Sequence, residues 1–252
     1  MKFRMHLTAA AAALLLVACG GNDPAITSVK VMGDSLSDSG TFGLKFTVQG
    51  SAATGTGSTP VWPELVSDQV GGGAQCAYYR FNLLAQTFGT TSGCTNYAIG
   101  GGRINNASNP QDPRSIVLQL QTAAQVHGSY KSTDLLLVDG GGNDAADVVG
   151  AYLGATTPSG ALTYRNLLAT LLPAAQVDAL LGQTNGAEQL GGAYMQALAD
   201  SFYNAIKASA LDKGASKVVV LNLPDITVTP RFATVLAAVA QQVVAGQAAQ
   251  AQ

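Results

Sequence analysis

The stretch Ile26-Thr27-Ser28-Val29-Lys30-Val31-Met32-Gly33-Asp34-Ser35 sets a β-branched, apolar run directly against a glycine and two small polar residues. Valine and isoleucine favour extended backbone and Gly-Asp-Ser interrupts it, so the run reads as a strand delivering a loop. Further on, Asp134-Leu135-Leu136-Leu137-Val138 and Ser216-Lys217-Val218-Val219-Val220-Leu221 are short, continuously apolar runs. Runs of that length match strands buried on both faces of a parallel sheet. Helical spacing lies between them. It runs from Ser115 to Val126, with Ile116, Leu120, Ala123 and Ala124 on one face, and again through Ala161 to Leu181 and Ala187 to Leu211. Strand and helix in alternation predict an α/β fold, a three-layer α/β/α sandwich with a parallel sheet.

Outward from this core, the N-terminus decides the compartment. Lys2 and Arg4 precede a small and apolar run from Ala9 to Ala18 that ends at Cys19-Gly20-Gly21. A membrane-spanning helix needs about 20 apolar residues. A shorter run behind a basic start has the form of a signal peptide, here residues 1–18. The tetrapeptide Leu16-Val17-Ala18-Cys19 resembles a lipobox, which would make Cys19 the lipidated first residue of the mature chain, with residues 19–25 as a tether and 26–252 as one domain. Ordinary cleavage near Ala18 is the alternative. The expected location is the periplasm or outer membrane, with membrane attachment through the lipid alone, or otherwise secretion.

Removing 18 of the 252 residues leaves 234, enough for one sizeable core. Of the 13 basic residues, Lys2 and Arg4 leave with the leader. Eleven then stand against 15 acidic ones, a formal charge of −4. Such a surface does not attract phosphate backbones, which argues against nucleic acid as a partner. Once Cys19 is set aside, Cys76 and Cys94 remain as a pair in an oxidising compartment, where a disulfide is expected and two free buried thiols are the alternative. A lone histidine and paired cysteines build no convincing metal site, and no cofactor is expected. The chain is expected to be a monomer acting on a small-molecule or lipid ester.

Three loops carry unusual residues: Gly33-Asp34-Ser35-Leu36-Ser37-Asp38-Ser39-Gly40, Asn96-Tyr97-Ala98-Ile99-Gly100-Gly101-Gly102, and Gly140-Gly141-Gly142-Asn143-Asp144. In an open parallel sheet, functional groups gather beyond the carboxyl ends of the strands. Acyl transfer needs a nucleophile, donors for a developing oxyanion, and a base. These loops supply the first two. In order and spacing they resemble the ordered blocks of the GDSL (SGNH) esterase and lipase family over roughly residues 26 to 231, including Asn222-Leu223-Pro224-Asp225. The resemblance implies an SGNH-hydrolase, flavodoxin-like fold. It makes Ser35 the nucleophile, Gly101 a backbone donor with Gly100 as the adjacent alternative, and Asn143 a side-chain donor. Asp34, Asp38 and Asp144 read as turn or cap residues. The Gly, Ser and Thr stretch from Gly50 to Pro60 reads as a surface loop.

The family's remaining block, a C-terminal Asp-x-x-His, has no counterpart here. His6 lies in the leader, and His127 stands at the end of a helix that precedes a core strand, on the side of the sheet opposite the three loops. Two explanations are open. The chain is an incomplete version of a longer enzyme, in which case the apolar positions Val235, Leu236, Val239, Val243 and Val244 want a partner and solubility is poor, or it is a short paralogue that keeps the fold without turnover. The expected activity is hydrolysis of carboxylic esters. Deacetylation of a polysaccharide and a non-catalytic envelope binding module are the alternatives.

Overall fold

The computed structural model describes residues 23–49, 59–230, 232–237 and 240–241. The leader, Cys19, residues 50–58 of the loop from Gly50 to Pro60, and Val239, Val243 and Val244 lie outside the described residues. In chain order the elements are β1 (Ser28–Met32), α1 (Trp62–Gln69), β2 (Tyr79–Asn82), β3 (Thr87–Thr90), α2 (Ile116–His127), β4 (Asp134–Val138), α3 (Gly142–Gly154), α4 (Pro158–Leu168), α5 (Ala174–Leu181), α6 (Gly186–Ser209) and β5 (Val218–Val220). The chain is an α/β protein with a parallel sheet flanked by helices.

β1 pairs in parallel with β4 from Ser28 opposite Asp134 to Met32 opposite Val138, and β5 continues in parallel from β4. On the other side of β1 the segment 95–99 runs alongside. The Val31 N–H donates to the Thr95 carbonyl at 3.0 Å, Tyr97 N–H to Val31 at 2.7 Å, and Ile99 N–H to Gly33 at 3.2 Å. In chain order these four stretches lie second, first, third and fourth across the sheet, the flavodoxin-like order, which places its switch point between β1 and β4.

Alternation along the strands divides the core. Val29, Val31, Leu135, Leu137 and Ala98 face one side, where Trp62 and Val66 of α1 pack. Met32, Leu136, Val138, Tyr97 and Ile99 face the other, against Ile116, Leu120 and Ala123 of α2 and Leu198, Phe202 and Ile206 of α6. Helices on both faces give the three layers. Each fully buried aliphatic side chain stabilises by about 1.5–3 kcal/mol. Truncating Leu136, which is fully buried, therefore costs about 2–5 kcal/mol once the cavity is included. α6 continues past this core, and its Leu190 and Tyr194 pack with Val148, Tyr164, Leu168 and Val177 in a second cluster formed by α3, α4 and α5.

Several elements differ from the sequence expectation, and the helices α1 and α3 were not read from it at all. The helical pattern from Ala161 to Leu181 is two helices, because Pro173 has no N–H to continue α4 and instead caps α5. The hairpin β2–β3 was not read from the sequence, since four-residue strands carry too little periodicity. The third apolar run forms β5 as expected, but it is not buried among the described residues: Val219, Val220 and Leu221 are exposed. Cys76 and Cys94 are joined in a disulfide.

Candidate active site

The loops that follow β1, the 95–99 segment and β4 meet beyond the carboxyl edge of the sheet at its switch point. Ser35 is half-buried there, on a turn held from several directions. Asp34 Oδ1 accepts the Leu36 N–H at 3.0 Å and its carbonyl accepts Ser37 N–H at 3.2 Å, so Asp34 is a turn residue, as its position suggested. Gln119 of α2 accepts the Gly33 N–H at 2.8 Å. On the far side of the turn, Trp62 Nε1 donates to Ser37 Oγ at 2.9 Å and Asn96 Nδ2 to the Ser37 carbonyl at 2.8 Å.

Asp38 links this turn to the glycine loop. Its Oδ1 accepts Gly40 and Thr41 N–H groups at 2.9 and 2.7 Å, and its Oδ2 accepts Gly100 N–H at 2.9 Å. The Gly100 N–H is thereby occupied. Among the described residues the N–H groups of Ser35 and Gly101 have no acceptor. Gly101 has φ of 81°, a left-handed conformation that glycine adopts without strain and that turns its N–H away from the backbone ladder. Its carbonyl accepts Arg103 Nη1 at 2.9 Å, and Asp147 clasps the same guanidinium through Nε and Nη2 at 2.5 and 3.0 Å.

Asn143 stands in the first turn of α3, where Nδ2 donates to the Gly102 carbonyl at 2.9 Å. That bond uses one amide hydrogen and orients the other. Asp144, next to it, is buried and accepts the N–H groups of Ile104 and Asn105 at 3.0 and 2.8 Å, fastening the glycine loop to α3. Burial raises its pKa against these bonds.

Asp139, the residue after β4, was not singled out from the sequence. It is 2% exposed, and Asp34 is 4% exposed. Asp139 Oδ1 accepts the Asp34 N–H at 3.3 Å, and its Oδ2 is buried with no hydrogen-bond partner among the described residues. Burial, with the Asp34 charge adding to it, pushes the Asp139 carboxyl up to about 7, and burial also raises Asp34. Gly33 makes room for this: a Cβ there would lie 1.5 Å from Asp139 Oδ1.

His127 is at the other end of the molecule. Its Nε2 is 3.1 Å from Tyr97 Oη, beside the buried ion pair of Lys30 and Asp134, whose Nζ and Oδ1 are 2.8 Å apart at the amino-terminal side of the sheet. Lys30 lies inside β1, whereas Ser35 stands on the turn beyond the strand's carboxyl end. The structure therefore brings together the loops of Ser35, Gly101 and Asn143 and leaves His127 apart. Burial lowers the His127 pKa, assisted by the Lys30 charge and opposed by Asp134.

Two recesses flank the glycine loop and α3. A polar one of about 590 Å³ is lined by Arg103, Asn105, Asn106, Asn109 and Arg114, among others. An apolar one of about 290 Å³ lies between Gly142, Ala146 and Val149 of α3 and Ile226, Phe232 and Val235. Among the described residues no group of three metal-ligating side chains is gathered, and no helix is long and apolar enough to cross a membrane.

A search of curated proteins returned no match. The family model described as GDSL-like lipase/acylhydrolase matches residues 29–249, a span that contains all three loops. The chain belongs to the GDSL-like lipase/acylhydrolase family.

Proposed function

We propose that the protein is a serine hydrolase of carboxylic esters in which Ser35 attacks the ester carbonyl and its own N–H, the Gly101 N–H and the Asn143 amide stabilise the tetrahedral oxyanion. The observation that carries this reading is the division of labour between adjacent glycines. Asp38 occupies the Gly100 N–H, while the N–H groups of Ser35 and Gly101 have no described acceptor and the Asn143 amide is oriented beside them. Donors fixed before the reaction need no reorganisation when charge develops, and each is worth about 2.7–4 kcal/mol of barrier.

The ester's two halves differ in polarity, and so do the recesses. The apolar one beside Gly142 suits an acyl chain, and the polar one reached through Arg103 suits a hydroxyl-rich alcohol. The polar recess also favours the second reading, deacetylation of a polysaccharide, in which the acyl group is small and the alcohol is a sugar.

The base is proposed to be the family's Asp-x-x-His, supplied from outside the described residues. The bare apolar face of Val219, Val220 and Leu221 supports a further element packing there. Export, attachment through a lipid on Cys19 and a monomeric state complete the proposal. The Cys76–Cys94 disulfide is compatible with an oxidising compartment.

The test treats the mature chain, and the same chain extended through the downstream reading frame, with a fluorophosphonate probe, a p-nitrophenyl ester series and an acetylated oligosaccharide. Labelling that is lost in Ser35→Ala identifies the nucleophile. Strong labelling by the extended chain alone assigns the base to the extension, and labelling by neither would sink the hydrolase reading.

A further inference from the structure

Asp34 and Asp139 bring two carboxyl groups together under the loop that carries Ser35, and both are buried. Two carboxylates in such a place cannot both ionise without strong repulsion, because a neighbouring like charge and loss of water each disfavour the charged form. Among the described residues no cationic side chain pairs with either carboxyl. From α2 the group that faces this loop is the Gln119 amide, bonded to Gly33 N–H. The Ser37 hydroxyl and backbone N–H groups lower the cost for Asp139 only in part, and Asp34 is the charged group acting on it. From α3, Asp144 is engaged with Ile104 and Asn105.

We propose that Asp34 and Asp139 share a single proton and that Asp139 is thereby a positioning residue, holding the Gly33–Ser37 turn in the shape that presents the Ser35 N–H and Oγ. The proton satisfies the buried Oδ2 of Asp139, which has no described partner, the remaining negative charge stays on the pair, and Oδ1 of Asp139 keeps the Asp34 N–H. Loss of the shared proton leaves two adjacent charges, which part and drag Asp34, and with it the neighbouring serine. Esterase action by Ser35 is the reading on which the catalytic consequence rests, whereas the proton itself is independent of it.

The test is an NMR titration of the full chain from about pH 4 to about pH 9, well beyond the ordinary aspartate value of about 3.9. It follows the carboxyl carbons of Asp34 and Asp139 and the Ser35 amide in the parent and in Asp139→Asn, with Asp34→Asn as the second variant should the first not fold. The expected result is an Asp139 step near pH 7 in the parent, a Ser35 amide that moves with the same midpoint, and no such Ser35 step in either variant. Two carboxyls titrating in the ordinary aspartate range would overturn the shared proton. A Ser35 amide that stays still while Asp139 titrates would overturn the positioning role. In hydrolysis assays the parent's kcat falls on the alkaline side of this step by on the order of a hundredfold, as for a reacting group displaced by about 1 Å, while KM is unchanged and Asp139→Asn lacks the fall. NMR steps in place without turnover at any pH would count against the esterase reading and leave the proton pair standing.

Discussion

Asp38 Oδ2 accepts the Gly100 N–H at 2.9 Å, and this bond ties the loop after β1 to a loop about sixty residues later in the chain. The same carboxylate holds Gly40 and Thr41, so it fixes both loops at once. Hydrogen bonds to charged groups contribute about 1.5–3 kcal/mol each, and leaving buried donors unpaired costs a comparable amount. Asp38→Ala is expected to destabilise the fold by about 3 kcal/mol or more and to slow fluorophosphonate labelling of Ser35. Urea denaturation and labelling rates measure the two effects. A variant within about 0.5 kcal/mol of the parent would show that the link is dispensable.

On the proposed oxyanion role, Asn143 separates catalysis from stability. Its one side-chain bond, to Gly102, is worth about 1 kcal/mol net. Loss of an oxyanion donor lowers kcat by about 10² to 10³. Asn143→Ala, made in a chain that turns over ester, is therefore expected to melt within a few degrees of the parent and to lose at least a hundredfold in kcat. Full activity in the alanine variant would remove Asn143 from the oxyanion site.

His127 is expected to contribute to acid sensitivity rather than to turnover. The folded chain holds its imidazole below the ordinary value of 6.5, chiefly by burial, whereas the unfolded chain protonates it normally. The unfolded state then binds the extra proton first, so stability is intact above about pH 6.5 and declines as pH falls below it. The melting temperature of the parent should drop between about pH 7 and about pH 5 more steeply than that of His127→Gln, which should keep whatever esterase activity the parent has. Parallel curves would place the acid-sensitive group elsewhere.

The Cys76–Cys94 bridge closes a sequence separation of 18 residues around the hairpin. In the chain-entropy model a loop of this size gives about 3 kcal/mol. Replacing both cysteines by serine should lower the unfolding free energy by about that amount with the α/β fold retained, as followed by circular dichroism in urea. An unchanged midpoint would show that the covalent link adds nothing to the packed hairpin.

What the sequence made legible follows from how local each signal is. β4 was readable because a strand covered on both faces is apolar along its length, as Leu135 to Val138 are, and β1 because its valines lead straight into Gly-Asp-Ser, although its Lys30 is buried against Asp134. The three loops were readable because Ser35, Gly101 and Asn143 lie in short runs of distinctive composition. Asp139 was not, since its meaning depends on Asp34, 105 residues earlier, and on a glycine that lets the two approach. The choice between Gly100 and Gly101 likewise hangs on Asp38, which looked like an ordinary turn residue until its second oxygen was placed. β5 misled for the opposite reason: Val218 to Leu221 have the composition of a covered strand, and no described element covers them.

The close approach of Gly33 to Asp139 binds the histories of the two positions together. A side chain at 33 would occupy the space of the Asp139 carboxyl, so a substitution there must displace that carboxyl and is best tolerated where position 139 is smaller. In sequence drift the two positions are therefore expected to change together, with homologues that carry a larger residue at 33 tending to carry glycine or alanine at 139.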